Sequence, residues 1–122
     1  MSLHAVPAVT SAVDLYFQAL HECDVTKLDR VFDSSASLFD VTDGTFTAMP
    51  FAEWREIVAN RPSPQSVGQA REDELLSLDF LSADLVVAKV RLRILDQVFE
   101  DHLSLANIDG DFRVVAKTWR DA

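Results

Sequence analysis

Val13-Asp14-Leu15-Tyr16-Phe17-Gln18-Ala19-Leu20 near the N-terminus and Phe99-Glu100-Asp101-His102-Leu103-Ser104-Leu105 near the C-terminus are written in two different periods. In the first, Val9, Val13, Tyr16, Phe17 and Leu20 recur at spacings of three and four, which lays one apolar stripe along a helix of about four turns, with Pro7 suited to its opening turn. In the second, apolar and polar residues alternate, the mark of a half-buried strand. Working outward, Asp24 reads as the N-cap of a short second helix in which Leu28, Val31 and Phe32 face inward. Residues 36–42 read as a strand, Asp43-Gly44 as a hairpin turn with a short return through Phe46, and Met49-Pro50 as the start of a third helix. Phe51, Trp54, Ile57 and Val58 fall on one side of that helix, and Arg61-Pro62-Ser63-Pro64 ends it, because residues before proline disfavour helical geometry. From Arg71 onward the period is two: Leu76, Leu78 and Phe80 share a face, as do Val86, Ala88, Val90, Leu92 and Ile94. Two further strands, 97–108 and 112–120, turn at Asp109-Gly110-Asp111 and complete an antiparallel meander. Helices first and strands afterwards predict an α+β domain: three N-terminal helices packed on a strongly curved antiparallel sheet, forming a cone-shaped barrel with an internal pocket.

Composition narrows the function classes. The 122 residues, 48% hydrophobic and 25% charged, suit one domain spanning 1–122 that buries roughly two-thirds of its unfolded surface. Twenty acidic against eleven basic side chains leave a net charge of −9, which repels nucleic acid and anionic lipid. The densest basic stretch, Lys89, Arg91 and Arg93, lies along one face of a strand and makes nucleic-acid binding a minor reading. Cys23 is the single cysteine, so the expected setting is reducing and cytoplasmic. Residues 1–15 carry no Lys or Arg ahead of an apolar run, unlike a signal peptide, and no apolar run reaches membrane-spanning length.

The polar residues that fall in apolar rows are the candidates for chemistry. Asp101 shares a face with Phe99, Leu103 and Leu105, where an ionised carboxylate is costly unless paired or wet. Asp40 shares a face with Ala36 and Leu38, and Tyr16 lies in the inward helical stripe. Phe17, Leu38, Trp54, Val90, Phe99 and Leu103 are expected to line the pocket around them.

These same segments resemble the nuclear transport factor 2-like superfamily, and most closely its SnoaL-like and lumazine-binding-like branch. The resemblance covers about 9–119. It also reaches, more distantly, the ketosteroid isomerases: Tyr16 ahead of Phe17-Gln18-Ala19-Leu20, Asp40 at the end of Ala36-Ser37-Leu38-Phe39-Asp40, and the Asp101-His102 pair. By that resemblance Asp40 would be a general base, while Tyr16 and a protonated Asp101 would stabilise an enolate. The residues alone leave other readings open: Tyr16 as a core aromatic with a satisfied hydroxyl, Asp101 as a structural hydrogen-bonding residue, Asp40 as a solvent-facing residue near a turn. No second tyrosine or histidine in the inward rows completes a proton relay.

Other residue types contribute less. His4, His21 and His102 have no metal-site spacing, and with only three glycines there is no phosphate-cradling loop, so neither metal nor cofactor is expected. Cys23 reads as a buried, inert thiol. Arg61 and Arg71 flank the proline-rich loop, placed either in solvent or at the cone's mouth within reach of an acidic ligand. Leu85, Val87, Val98, Ile108, Val115 and Trp119 alternate away from the core rows, so a homodimer through the outer sheet face is expected, with Val87, Val98, Val115 and Trp119 at its centre. The leading expectation is a binding protein for a small apolar or aromatic molecule. An isomerase, dehydratase or cyclase needing no cofactor is the rival, and a dimeric scaffold or regulatory module is the third.

Overall fold

The helical stripe finds its partner on the inner face of a sheet. In the computed structural model, which describes residues 5–122, α1 (Ala5–Glu22) buries Ala5, Val9, Val13, Tyr16, Phe17, Ala19 and Leu20. It stops where Cys23 takes a left-handed φ of 51° and the Asp24 amide donates back to the Ala19 carbonyl at 2.9 Å. Asp24 then caps α2 (Val25–Val31), its carboxylate accepting from the amides of Thr26 and Lys27. The chain continues as β1 (Phe32–Thr42), β2 (Thr45–Pro50), α3 (Phe51–Ala59), a single 3-10 turn at Gln65–Val67, β3 (Asp73–Ser82), β4 (Leu85–Ile94), β5 (Gln97–Ile108) and β6 (Asp111–Asp121).

The strands form one sheet in the order β2-β1-β6-β5-β4-β3. Four of its junctions are antiparallel, but β1 runs parallel to β6, which joins the first hairpin to the later meander. The sheet curves around the helices without closing, since β2 and β3 remain as edges. Register irregularities in β1, β3 and β6 supply local bending. The alternation read for β4 and β5 holds: Val86, Ala88, Val90, Leu92 and Ile94 are buried, as are Asp101, Leu103 and Leu105.

Three local readings change. Phe32 opens β1 with φ −99° and ψ 141° instead of closing α2, and from there it stacks on Phe51 at 4.9 Å and meets Trp54 at 5.3 Å, fixing α3 to the sheet. A register shift between Leu75 and Ser77 reverses the phase of β3, so Leu75 packs on the core and Leu76 is exposed. A second shift, in β6 at Val115, does the same: Val114 pairs with Leu105, yet Ala116 pairs with Ser104, and beyond it Lys117 and Trp119 sit opposite Leu103 and Asp101. Directly paired residues share a face. Trp119 therefore points inward, correcting its expected place on the outer face.

The core makes a direct prediction. Leu103 is fully buried, so Leu103→Ala should lower unfolding free energy by about 2–5 kcal/mol in urea titration. Leu81 is 81% exposed, and Leu81→Ala should stay within about 0.5 kcal/mol.

Candidate functional site

A cavity of about 140 Å³ lies between the sheet's inner face and the helices. Its walls are Tyr16 and Leu20 from α1, Met49 from β2, Trp54 and Ile57 from α3, Arg61, and Leu92, Ile94, Phe99, Asp101, Lys117 and Trp119 from the sheet. The chain reaches the surface there at α3, since Ile57 is 46% exposed although the sequence stripe placed it inward.

The polar end of the cavity follows from register. Asp101 on β5 faces Val90 on one side and Trp119 on the other, and Lys117 is diagonal to it, two residues before Trp119. The Tyr16 hydroxyl donates to Asp101 Oδ2 at 2.5 Å, and Lys117 Nζ stands 3.9 Å from the same oxygen. All three side chains are buried. Nζ also lies 4.2 Å from the ring centre of Trp54, 4.8 Å from that of Trp119 and 5.3 Å from that of Tyr16, so aromatic faces take over part of the solvation that water would give an ammonium. Two buried polar atoms, Asp101 Oδ1 and Arg61 Nε, have no hydrogen-bond partner among the described residues.

Burial sets the electrostatics. It pushes the Tyr16 hydroxyl well above its ordinary range, an effect the Asp101 charge reinforces. It raises the Asp101 carboxyl, with Lys117 and the Tyr16 hydrogen bond pulling the other way. It lowers Lys117 to about 8, the charge of Asp101 opposing the fall. With Asp101, Lys117 and Arg61 all ionised the cavity carries one excess positive charge, opposite in sign to the protein as a whole.

Residues 4–120 match the model of a protein family described as "Putative lumazine-binding". The chain belongs to that family. This lumazine-binding-like chain is also similar in fold to an NTF2-like protein of unknown function from Silicibacter pomeroyi, at 20% identity with both chains covered completely and a TM-score of 0.87. A second NTF2-like protein of unknown function, from Shewanella baltica, shares 19% identity over 100% of this chain and 97% of its own, with a TM-score of 0.87. A ketosteroid isomerase-like protein from Erwinia carotovora atroseptica is 12% identical over 98% of each chain, with a TM-score of 0.72. No curated protein matches the chain.

Of the residues singled out in sequence, Tyr16 and Asp101 meet, whereas Asp40 stands apart. Asp40 occupies the same inward row as Trp119 and Asp101, but with β6 between them, so it is two strand spacings or roughly 10 Å from Asp101 along the sheet. Its carboxylate accepts from Thr42 Oγ1 at 2.6 Å, and it does not line the cavity. Trp54 and Phe99 line the cavity; Phe17, Leu38, Val90 and Leu103 are buried in the packed core beside it.

Arg61 reaches the cavity, while Arg71 instead bridges Asp14 of α1 and Asp73 of β3 at 2.8 and 2.9 Å. Cys23 is half-buried, and His102 is exposed on the outer face. His4 lies outside the described residues. No helix among the described residues is long and apolar enough to cross a membrane.

Lys117 escaped the sequence reading. Simple alternation from Phe112 and Val114 puts Ala116 and Thr118 inside and Lys117 outside. The one signal was the adjacent Val114-Val115 pair, which leaves the phase of the strand ambiguous.

The lowered pKa of Lys117 has a definite sign in stability. Between about 8 and 10.5 the unfolded lysine holds its proton and the folded one has released it, so unfolding takes up a proton and stability rises with pH across that window. Urea unfolding of the protein should become harder by roughly 1–3 kcal/mol from pH 8 to pH 10. Lys117→Met should flatten that slope; an unchanged slope in the variant would place the effect elsewhere.

Proposed function

We propose that the cavity binds a small planar aromatic molecule carrying a carbonyl or anionic oxygen at its edge. The observation that carries this reading is the combination, in one aromatic-walled cavity, of an unpartnered buried donor, Arg61 Nε, with an excess positive charge. An acceptor oxygen on the ligand would take hydrogen bonds from Arg61 and Lys117, and its ring would stack among Trp54, Phe99 and Trp119. An engineered cavity of about 150 Å³ accommodates benzene. A cavity of about 140 Å³ therefore suits a one-ring ligand as it stands, whereas the bicyclic lumazine of the family's description would require α3 to move outward.

Both tryptophans of the chain line the cavity, so intrinsic fluorescence reports its occupancy directly. Benzoate should give a saturable fluorescence change. Lys117→Met should weaken benzoate at least about tenfold, equivalent to about 1.4 kcal/mol, while shifting toluene by less than about twofold. No saturable response to benzoate, toluene or lumazine would end the reading.

A second reading rests on the Tyr16–Asp101 hydrogen bond: an isomerase, dehydratase or cyclase in which these two groups stabilise an enolate and Asp40 removes the proton. It requires a substrate long enough to pass Trp119 and reach Asp40. Asp40→Asn should then abolish turnover while leaving benzoate binding unchanged.

The assembly we infer is a homodimer through the outer face. Val87, Ser104 and Ala116 form one of its rows, bordered by the Arg91–Glu100–Arg120 charge cluster, with Val98 beyond. Without Trp119 this patch is smaller and more polar than alternation suggested. Sedimentation should return a dimer mass that Val87→Asp combined with Ala116→Asp reduces to a monomer.

A further inference from the structure

We propose that Lys117 captures small aryl aldehydes and ketones as a Schiff base at its Nζ. The proposal rests on the pocket reading above and deepens it, naming the reactive atom and the carbonyl class that atom would take.

Lys117 differs in kind from the other two lysines of the chain. Lys27 is tied by its Nζ to Glu22 and Gln18, and Lys89 is exposed on the outer face. Lys117 Nζ is walled by three aromatic rings and makes no hydrogen bond among the described residues; its one charged partner within 4 Å is Asp101, at 3.9 Å. An amine in that position, with no hydrogen bond to hold it, keeps its lone pair free for a carbon electrophile whenever it is neutral. The groups that face it are Asp101 from β5, Tyr16 from α1, Arg61 after α3 and Asp40 from β1. Burial and Arg61 favour the neutral amine, and the two aspartates favour the ammonium. With the balance at about 8, roughly a tenth of the Lys117 side chains are neutral at pH 7.

The chemistry balances within the cavity. The Nζ lone pair adds to the carbonyl carbon, the C=O π electrons move to oxygen, and that oxygen takes a proton from the newly bonded nitrogen to give the neutral carbinolamine. Asp101 in its protonated form, with Tyr16 beside it, is placed to supply the proton that lets the hydroxyl depart as water while nitrogen forms the C=N bond. A neutral amine and a carboxylic acid thus become an iminium ion and a carboxylate, plus one water. Charge is conserved, and the new cation keeps the aromatic faces and the Asp101 charge that the ammonium had.

The test is reductive trapping of the full chain with benzaldehyde and sodium cyanoborohydride at pH 7, read by intact mass and peptide mapping. Fluorescence titration with benzaldehyde runs in parallel. The folded protein should label at Lys117 at least about tenfold faster than at Lys27 or Lys89, and the preference should vanish in urea, where all three are solvated. Lys117→Arg, which keeps the charge, should lose the selective adduct, and Asp101→Asn should slow trapping about tenfold in protein whose circular dichroism is native. Saturable binding of benzaldehyde with labelling confined to Lys27, Lys89 or the α-amine would overturn the Schiff base and leave the pocket standing. Absence of both binding and Lys117 labelling would overturn the two together.

Discussion

A carboxylate removed from water has to be met inside the protein, and the interior around Asp101 is arranged to meet it. The Tyr16 hydroxyl and the Lys117 ammonium approach the same oxygen from α1 and β6, so three elements that are distant in sequence converge on one atom. Removing Lys117 leaves the buried Asp101 charge with no opposite charge beside it, which is far more costly than never having buried one. Burial moves each of the three groups toward its neutral form, while their mutual attraction restrains Asp101 and Lys117 from going fully there. The cluster is therefore poised between an ion pair and a neutral pair.

Aromatic packing walls this cluster in. Phe32 at the first position of β1 stacks on Phe51, and both meet Trp54, which faces Lys117. The position of Trp54 thus depends on α2 ending at Val31 and releasing Phe32 into the sheet. On the far side, Gln69 both donates to and accepts from the Leu95 backbone, tying the loop before β3 to the β4–β5 turn.

Much of this was legible in sequence wherever a single period persisted. The α1 stripe, the β4 row and the β5 row carry unbroken repeats, and these placed Tyr16 and Asp101 on converging faces. Legibility failed where one extra residue reset the phase. The irregularities beside Leu76 and at Val115 each reset the alternation partway along their strand, and residue type alone does not announce them. Val115 was the costlier miss, since it hid Lys117 and turned Trp119 from a cavity wall into an apparent interface residue. The parallel junction of β1 with β6 was also out of reach, because pairing between the first strand and the last is a property of the whole sheet. Asp40 shows the reverse case: its face was read correctly, but sharing a row does not bring two side chains together when another strand runs between them.

The sheet's failure to close has a consequence for how such a pocket diversifies. Its reactive end is built from sheet residues and α1, whereas the opposite wall is α3, a short helix held from outside by the paired contacts of Arg55 with Asp29. Substitutions at Ile57 can reshape the room available without disturbing Tyr16, Asp101 or Lys117, whereas Trp54, with its ring centre 4.2 Å from Lys117 Nζ, ties the two ends together. Evolution can in this way retune which molecules fit by editing the exposed part of one wall, while the chemistry opposite it is inherited intact.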